Sequence, residues 1–542
     1  MGVWTLKNKS ILVVDDFAGM RSMLRSMLSA YDAEDIAEAT NGLDAVEKLS
    51  NKTYDVILCD YNLGNGKDGQ QVLEEAKELG LIPYSAVYIM TTAENTSEMV
   101  MGAVEYQPDD YLSKPFTKEV LISRLKVLVD KKSELKPVAS AIQLKDYDTA
   151  YLLCEKLLEK ESRNRSDILK IQSDIALDMQ AYDKAEAIFT AVLQERELPW
   201  AKLGMGKVYY STEKYQEAVT ILEQLIEENP NYVFANDVLA KVYLALGDPK
   251  KSQEILQQAL DKSPKAILRQ KELANLSLAN KDYEAAEQAF KRILRNGKHS
   301  CYRGPEDHMG LAKAYIQKGS NFDAAKSLSS MRAEYRTAPT DKKIKSYVSE
   351  VVLYHELEKF SDAKKSVQEV LKIVNKRPEH LASEDAVTLA KICYKMDMNK
   401  EGDIFIQHVV RNNHDNSEML EELANILKEY GGESKVAELI ANTRDEVIAI
   451  NNQGVELATQ GKIEESIDLF EKAAKAMSEN SIVNLNAAQS LIMYMSNFSA
   501  DEEKLNKTMG YLSKIKVVGK PSEKHQKLLT ICLKLQNSLP QK

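Results

Sequence analysis

Four segments near the N-terminus each run from apolar residues into a side chain that can bind a cation or an oxyanion. The residues at these ends are Asp15 and Asp16 after SILVV, Asp60 after DVILC, Thr92 after VYIMT, and Lys114 after DYLS. Three carboxylates at neighbouring strand ends would repel one another, and a divalent cation among them would offset that repulsion. Oxygen ligands alone favour Mg²⁺, which also takes phosphate oxygens. A lysine and a hydroxyl opposite the acids could stabilise the charge on a transferred phosphoryl group.

An N-terminal region that alternates short apolar runs with helical patterns must position these side chains. The predicted strands are 10–15, 34–39, 54–60, 86–92 and 110–115, and the segments that follow them carry apolar residues at helical spacing. Five such βα units, with strands apolar on both faces, predict a doubly wound, five-stranded parallel sheet. Because the crevice of such a sheet lies at the carboxyl ends of its strands, we expect the polar residues to meet at one edge.

From about residue 139 the sequence predicts helices alone, arranged as a repeat. A short motif that ends in a small residue recurs along this region, at Ala150, Ala185, Ala218, Ser252 and Ala286, and then at longer spacing at Ala325, Ala363 and Gly402. The spacing from Ala218 to Ser252 and from Ser252 to Ala286 is 34 residues. Small residues at a fixed position let paired antiparallel helices approach closely, so we predict nine to eleven helical pairs, least regular over 415–450.

Composition and charge argue against several classes of protein. The chain is 44% hydrophobic and 28% charged, and no apolar stretch reaches the roughly 18 residues of a membrane span. Five scattered cysteines without a CxxC motif predict buried thiols in a reducing cytoplasm, and the first residues lack the apolar core of a signal peptide. Residues 1–130 carry 12 Lys and Arg against 21 Asp and Glu, whereas a nucleic-acid binder needs a basic face.

Residues 8–130 resemble the receiver domain of two-component response regulators, which has a flavodoxin-like fold. The resemblance lies in the order of the strand-end residues and in the SKPF motif around Lys114. It implies that Asp60 is the aspartate phosphorylated by a sensor histidine kinase. It also implies that Thr92 and Lys114 contact the phosphoryl oxygens, with Thr91 as the neighbouring alternative to Thr92.

The same resemblance supplies a metal site and a switch. It implies that Mg²⁺ is held by Asp15, Asp16 and Asp60 together with the main-chain carbonyl of Asn62. Tyr111 would be the aromatic residue whose rotamer follows Thr92. Asn62 and Glu94 match the chemotaxis-type pair that is associated with relatively fast self-dephosphorylation.

The loop after Asp60 departs from the receiver pattern. Gly64 stands where a proline is usual, and the stretch before Asp68 and Gly69 is one residue longer. We expect this difference to affect the mobility of the loop and kinase docking, and to leave the chemistry unchanged.

The helical region resembles the tetratricopeptide repeat, whose period and small-residue positions it shares. We therefore predict a receiver at 1–130, a short charged linker at 131–138 and a tetratricopeptide-repeat superhelix at 139–542. The linker ends near Pro137 and has no flexible Gly/Ser run, which predicts close contact between the two regions.

The register of three repeats predicts which residues line the concave face of the array. The predicted groove combines apolar residues with a stripe of lysines, and its main members are Trp200, Lys207, Tyr210, Phe234, Lys241, Lys271 and Asn275. Such a groove suits an acidic or amphipathic peptide. A solvated inner face is the alternative for any single lysine.

The sequence thus predicts a bacterial response regulator that acts through protein contacts and catalyses only its own phosphoryl transfer and dephosphorylation. Its layout resembles the VieB-type auxiliary regulators. The expected partners are a sensor histidine kinase and a protein or peptide in the repeat groove, without nucleic acid or membrane insertion. The alternatives are a phosphate sink and a scaffold that localises a kinase or a surface or motility component. A further hypothesis is that the acidic receiver docks on a basic part of the array when unphosphorylated, through the face formed by the fourth helix, fifth strand and fifth helix of receivers.

Overall fold

The computed structural model describes residues 4–93, 106–160, 163–429, 433–498, 501–515 and 522–538. The chain forms two compact units, Met1–Ala314 and Tyr315–Lys542. The first unit contains the sheet and the first helical pairs, and the second contains the later helices. The predicted helix at 95–105, with Glu94 before it, lies outside the described residues.

A five-stranded parallel sheet opens the first unit, as the sequence predicted. The strands are β1 (Ser10–Val14), β2 (Asp35–Ala39), β3 (Val56–Asp60), β4 (Val87–Thr92) and β5 (Asp110–Ser113), in the order β2-β1-β3-β4-β5. The intervening helices in the described residues are α1 (Ala18–Ser29), α2 (Gly42–Asn51) and α3 (Gly69–Glu78). The order reverses between β1 and β3, so the crevice of this flavodoxin-like sheet lies at their carboxyl ends.

Both faces of the sheet are buried, because successive residues of a strand point to opposite sides. On β3, Ile57 and Cys59 join the cluster beneath α2 and α3, while Val56 and Leu58 join the cluster on the other face. All five residues of β3 are buried, including the acid that ends it. The apolar run therefore fixes the position of Asp60 from behind.

One continuous helix, α4 (Lys118–Gln143), joins the sheet domain to the repeats. Residues 131–138, predicted as a linker, lie inside this helix. Its first half packs in the sheet core through Leu121, Leu125 and Val129, and its second half packs among the first repeats through Leu135 and Val138. Pro137 stands inside the helix and is exposed. The connection is therefore a helix anchored in both cores, which is stiffer than the predicted charged segment.

Beyond α4 the described residues form helices, as predicted. They are 21 α-helices and one short 3₁₀ helix, Pro378–His380. Those of the first unit are α5 (Tyr147–Leu158), α6 (Arg165–Asp178), α7 (Tyr182–Glu195), α8 (Pro199–Ser211), α9 (Tyr215–Glu228), α10 (Phe234–Ala245), α11 (Pro249–Lys262), α12 (Ile267–Ala279) and α13 (Tyr283–Asn296), with α14 (Pro305–Gln317) at the boundary.

The later helices continue the pattern in the second unit. They are α15 (Asn321–Tyr335), α16 (Thr340–Glu356), α17 (Phe360–Val374), α18 (Ser383–Lys395), α19 (Asn399–Asn413), α20 (Ser417–Glu429), α21 (Glu433–Thr459), α22 (Ile463–Ala476), α23 (Ser481–Asn497), α24 (Glu502–Ser513) and α25 (Glu523–Ser538). The number of helical pairs, nine to eleven, stays a prediction. In the described parts of the chain, every helix is too short or too polar to span a bilayer.

The small residues of the repeat allow the helices to pack closely. A Cβ at Gly206 would lie 2.7 Å from the Leu222 side chain of the paired helix. Ser252 is fully buried, and its hydroxyl donates to the carbonyl of Ala240 (2.8 Å). One position was misplaced by a residue: Ala324 is 1% exposed and takes the buried small position, whereas Ala325 is exposed, since α15 begins one residue earlier in the motif.

Candidate functional site

Parallel pairing brings the predicted site residues to one edge of the sheet. Val14, the last residue of β1, lies beside Cys59 of β3, so that Asp15 and Asp60 follow at the same level. Thr92 ends β4 opposite Ser113 of β5, and the next residue along β5 is Lys114. The ends of four separate segments therefore lie at the carboxyl edge of the sheet, where the side chains of Asp15, Asp60 and Lys114 come together.

The Lys114 ammonium bridges two of the acids. Its Nζ lies 2.8 Å from Oδ2 of Asp15 and 3.0 Å from Oδ2 of Asp60. The two aspartates are only 1% and 8% exposed. A buried charge is costly unless it is paired, so the lysine offsets much of the cost of placing two carboxylates here.

Burial also shifts the ionisation of this group of residues. Burial raises the pKa of Asp60 to about 6, against the lowering influence of Lys114, and nearby Asp15 raises it further. Burial lowers the pKa of Lys114, but its bonds to Asp15 and Asp60 outweigh that influence and leave the pKa above its ordinary value. The lysine is therefore a fixed positive charge beside the carboxylate that the sequence analysis singled out.

The three acids fit a divalent cation. Asp15, Asp16 and Asp60 each offer a carboxylate oxygen, and these oxygens lie within 4.8 Å of one another. Asp16 is exposed, so the cluster opens to solvent on one side. A donor set of carboxylate oxygens with an open side matches the preference of Mg²⁺ for a few protein oxygens and several waters. Asn62 lies exposed in the loop after Asp60, and its part as a main-chain ligand stays a prediction.

Thr92 and Tyr111, the predicted hydroxyl and aromatic residues of the site, lie at the end of β4 and within β5. Thr92 is 2% exposed, and its main-chain carbonyl accepts from the Lys114 amide (2.6 Å). Thr91, the alternative, lies in register with Asp60 itself. Tyr111 is partly buried and packs against the core cluster that also contains Tyr61. The roles of Thr92 and Tyr111 stay predictions.

The unusual loop after Asp60 is built around glycine geometry. Gly64 has a φ of +71°, which a proline at this position could not adopt because its ring fixes φ near −65°. A Cβ at Gly64 would lie 3.1 Å from Oδ2 of Asp16. The loop thus passes close to the acidic cluster, which explains the departure from the proline that is usual here.

Two positioning residues were missed by the sequence analysis. Arg21 of α1 donates to the carbonyls of Asp15 (2.9 Å) and Asp16 (3.3 Å) while it pairs with Glu38. Gly69 begins α3 directly against the strand end, because a Cβ there would lie 2.1 Å from the carbonyl oxygen of Asp60. The Asp68–Gly69 pair was a visible turn signal, whereas nothing local marked Arg21.

The predicted groove residues occupy three helices of the first unit. Trp200, Lys207 and Tyr210 lie on α8, Phe234 and Lys241 on α10, and Lys271 and Asn275 on α12. Lys207 and Lys241 are exposed. Lys271 is engaged within the chain, since its ammonium donates to the carbonyl of Tyr302 (2.5 Å) and pairs with Glu306 (2.9 Å).

Acids also reduce the positive charge of the lysine stripe. Lys207 lies near Asp174 and Asp178, whose pKa values are raised by burial and lowered in part by that lysine. Burial likewise raises the pKa of Glu272, and nearby Lys241 lowers it in part. The groove therefore carries both signs of charge and is less basic than the sequence predicted.

Family models match both regions of the chain. The response regulator receiver domain model matches residues 11–126. Tetratricopeptide repeat models match 176–242, 238–300 and 271–339. The receiver match covers the strands and the acidic cluster, and the repeat matches cover the helices of the predicted groove.

Known proteins resemble each region separately. Chemotaxis protein CheY1 of Helicobacter pylori is 34% identical over 122 residues, which make up 22% of this chain and 95% of that protein. Chemotaxis protein CheY-3 of Vibrio cholerae is 32% identical over 122 residues, 22% of this chain and 90% of that protein. A solved tetratricopeptide repeat protein from Parabacteroides merdae is 17% identical and covers 48% of this chain and 97% of its own, with a TM-score of 0.35. The chain belongs to the response regulator receiver family, with an N-terminal receiver domain that is followed by tetratricopeptide repeats.

Proposed function

We propose that the protein is phosphorylated on Asp60 by a sensor histidine kinase in the bacterial cytoplasm, and that its repeats pass the signal on by binding another protein. The observation that carries this proposal is the position of Asp60. Its carboxylate ends a fully buried strand, 3.0 Å from the Lys114 ammonium and within 4.8 Å of oxygens from Asp15 and Asp16. We propose 1–130 as the receiver and 139–542 as the repeat array, joined by the middle of α4.

Several residues of the receiver take part in the transfer of a phosphoryl group to Asp60. A carboxylate oxygen of Asp60 attacks the phosphorus of the donor, an O–P bond forms, and the N–P bond of phosphohistidine breaks with its electron pair left on the ring. Asp15, Asp16, Asp60 and the Asn62 carbonyl would hold Mg²⁺, which when bound would supply positive charge to the phosphoryl oxygens. The Lys114 ammonium, 3.0 Å from the Asp60 carboxylate, stabilises the same charge, while the Thr92 hydroxyl contacts a phosphoryl oxygen.

Protein binding is the output that the chain supports best. Stacked helical pairs form extended surfaces that suit a protein or peptide. The net charge of −10 does not suit nucleic acid. We infer that the chain catalyses only its own phosphorylation and dephosphorylation.

Phosphoryl transfer is tested on the full chain with a small phosphodonor such as acetyl phosphate. Intact-mass measurement should show one added phosphoryl group in the presence of Mg²⁺ and none after chelation. Asp60→Asn should show none, whereas Asp35→Asn, a change at an exposed aspartate of the same domain, should behave as wild type. Phosphorylation of Asp60→Asn to the wild-type level would refute the assignment of the acceptor.

Output is tested by recovery of binding partners with wild type and Asp60→Asn, each with and without beryllofluoride. Partners that change with beryllofluoride only in wild type support a phosphorylation-controlled protein contact. A partner set that is the same in all four samples would favour the phosphate-sink or scaffold alternative.

A further inference from the structure

Helix α3 of the receiver contacts the segment between α13 and α14 through two glutamates one turn apart. Oε1 of Glu74 accepts hydrogen bonds from the Ser300 hydroxyl and the Cys301 amide (2.9 Å). Oε2 of Glu78 accepts from the Tyr302 hydroxyl (3.2 Å). We call these five residues the α3 seam.

The buried member of the α3 seam gives it specificity. Glu74 is 1% exposed, and a carboxylate in that position requires donors. The donors described above for its Oε1 come from Ser300 and Cys301, more than 220 residues away along the chain. Each charge-assisted hydrogen bond of this kind favours the docked arrangement by about 10-fold to 100-fold. These hydrogen bonds therefore favour the arrangement in which α3 is docked on the segment between α13 and α14.

A second contact lies next to the phosphorylated residue. Tyr61, which follows Asp60 directly, is 3% exposed, and its hydroxyl accepts from the ammonium of Lys265 (2.9 Å). The same ammonium lies 5.3 Å from the centre of the Tyr61 ring. Lys67, in the loop before α3, donates to the carbonyl of His299 (3.0 Å). The repeats therefore contact the loop that follows Asp60 both at its beginning, at Tyr61, and near its end, at Lys67.

The backbone ties this surface to the acceptor site. The Gly69 amide, the first of α3, donates to the carbonyl of Tyr61 (2.8 Å), and there is no room for a Cβ between Gly69 and the Asp60 carbonyl. Phosphorylation replaces the single negative charge of the Asp60 carboxylate with the charge of about −1.5 to −2 on a phosphoryl group, and it gives Lys114 a new partner. A shift of the loop that accommodates this group must move the start of α3, and with it Glu74 and Glu78.

The far side of the α3 seam adjoins the predicted groove. The carbonyl of Tyr302 accepts from Lys271, one of the predicted groove lysines. A partner that draws Lys271 to its own acidic groups must compete with the Tyr302 carbonyl and with Glu306 (2.9 Å) and Asp307 (3.3 Å). The Tyr302 hydroxyl meanwhile holds Glu78. The receiver and a groove partner therefore act on the same short segment.

We propose that the α3 seam is the surface by which the resting receiver docks on the repeats, and that phosphorylation of Asp60 weakens it and loosens the hold of Tyr302 on Lys271 in favour of an acidic partner. The release rests on the proposed function, whereas the docking surface does not. The described contacts use α3 and the loop before it. The family face expected from sequence includes residues 94–105, which lie outside the described residues.

Hydrogen exchange on the full chain tests both parts, with peptides from α3 and from 297–304 as reporters. Tyr302→Phe combined with Lys265→Met removes two contacts from the repeat side, and Glu74→Gln removes the buried charge from the receiver side. Each should raise exchange in both reporters by about 10-fold or more without any phosphoryl mimic. Glu47→Gln, at an exposed glutamate of α2, is the matched control and should leave both reporters unchanged.

Beryllofluoride with Mg²⁺ should raise exchange in the same peptides of wild type and have no effect on Asp60→Asn. Unchanged exchange at 297–304 in both seam variants would overturn the docking surface. Unchanged or slower exchange in wild type that is shown by mass to accept a phosphoryl group would overturn the release. If no phosphoryl group is accepted while the seam variants still open, the proposed function and the release fail and the docking surface stands.

Discussion

Replacement of Lys114 by methionine should destabilise the metal-free receiver by about 2 to 3 kcal/mol at pH 7. The ammonium lies 2.8 Å from Asp15 and 3.0 Å from Asp60, which are both buried. Loss of one partner from a buried charged pair costs about 3 to 5 kcal/mol. The cost is lower here because burial raises the pKa of Asp60 to about 6. That carboxyl can therefore take up a proton at pH 7 for at most about 1.4 kcal/mol, and the lost bond to Asp15 adds the remainder.

The assay is hydrogen exchange of the buried β3 amides, because a chain of this size does not unfold in one step. The slowest amides of Val56–Asp60 should exchange about 30-fold to 150-fold faster in the variant. Mg²⁺ should reduce the difference to below about 1 kcal/mol, since the cation supplies the charge that the lysine no longer provides.

The matched control is a second lysine-to-methionine substitution in the receiver, away from the acidic cluster. Lys48→Met removes a partly exposed lysine that pairs with Asp44 on α2, and it should change stability by less than about 0.5 kcal/mol. Exchange of β3 within threefold of wild type in metal-free Lys114→Met, or a loss that Mg²⁺ leaves intact, would refute the view that Lys114 offsets the charge of the two aspartates.

Two further substitutions test how closely α3 packs against the end of β3 and whether α4 is one continuous helix. Gly69→Ala places a Cβ against the Asp60 carbonyl and should cost about 1 to 3 kcal/mol, measured by β3 exchange, whereas Gly510→Ala, in an uncrowded helix, should not destabilise the chain. Pro137→Ala restores a hydrogen-bond donor inside α4 and should slow amide exchange over 131–143, with a gain of up to about 3 kcal/mol. Fast exchange over that range in both wild type and the variant would contradict a continuous helix.

The strand ends were predictable because they follow a local rule. Short runs that are apolar at every position, without alternating polar residues, predict strands covered on both faces. Parallel strands bring their carboxyl ends to one edge of the sheet. Asp15, Asp60 and Lys114 come together for that reason, although they are far apart in the sequence. The repeat was predictable on similar grounds, since a small residue is needed wherever two paired helices meet.

The connecting helix was not predictable from the same signals. Residues 131–138 carry several charges and a proline, which favour a linker when read locally. In the structure the two halves of α4 face different cores, so its apolar residues form no single stripe along the whole helix. Burial at both ends outweighs the loss of one hydrogen bond at Pro137.

What the sequence by itself determined is the parallel sheet with its strand-end residues and the repeating helical pairs, because both depend on residue types at short, regular spacing. Only the tertiary structure showed that Lys271 bonds to Tyr302, that Gly64 has a positive φ where the loop passes Asp16, and that Glu74 is buried against Ser300. These contacts join segments that are distant along the chain or depend on backbone geometry. They have no periodic signature, since their energy comes from pairing and burial after the helices and strands have packed together.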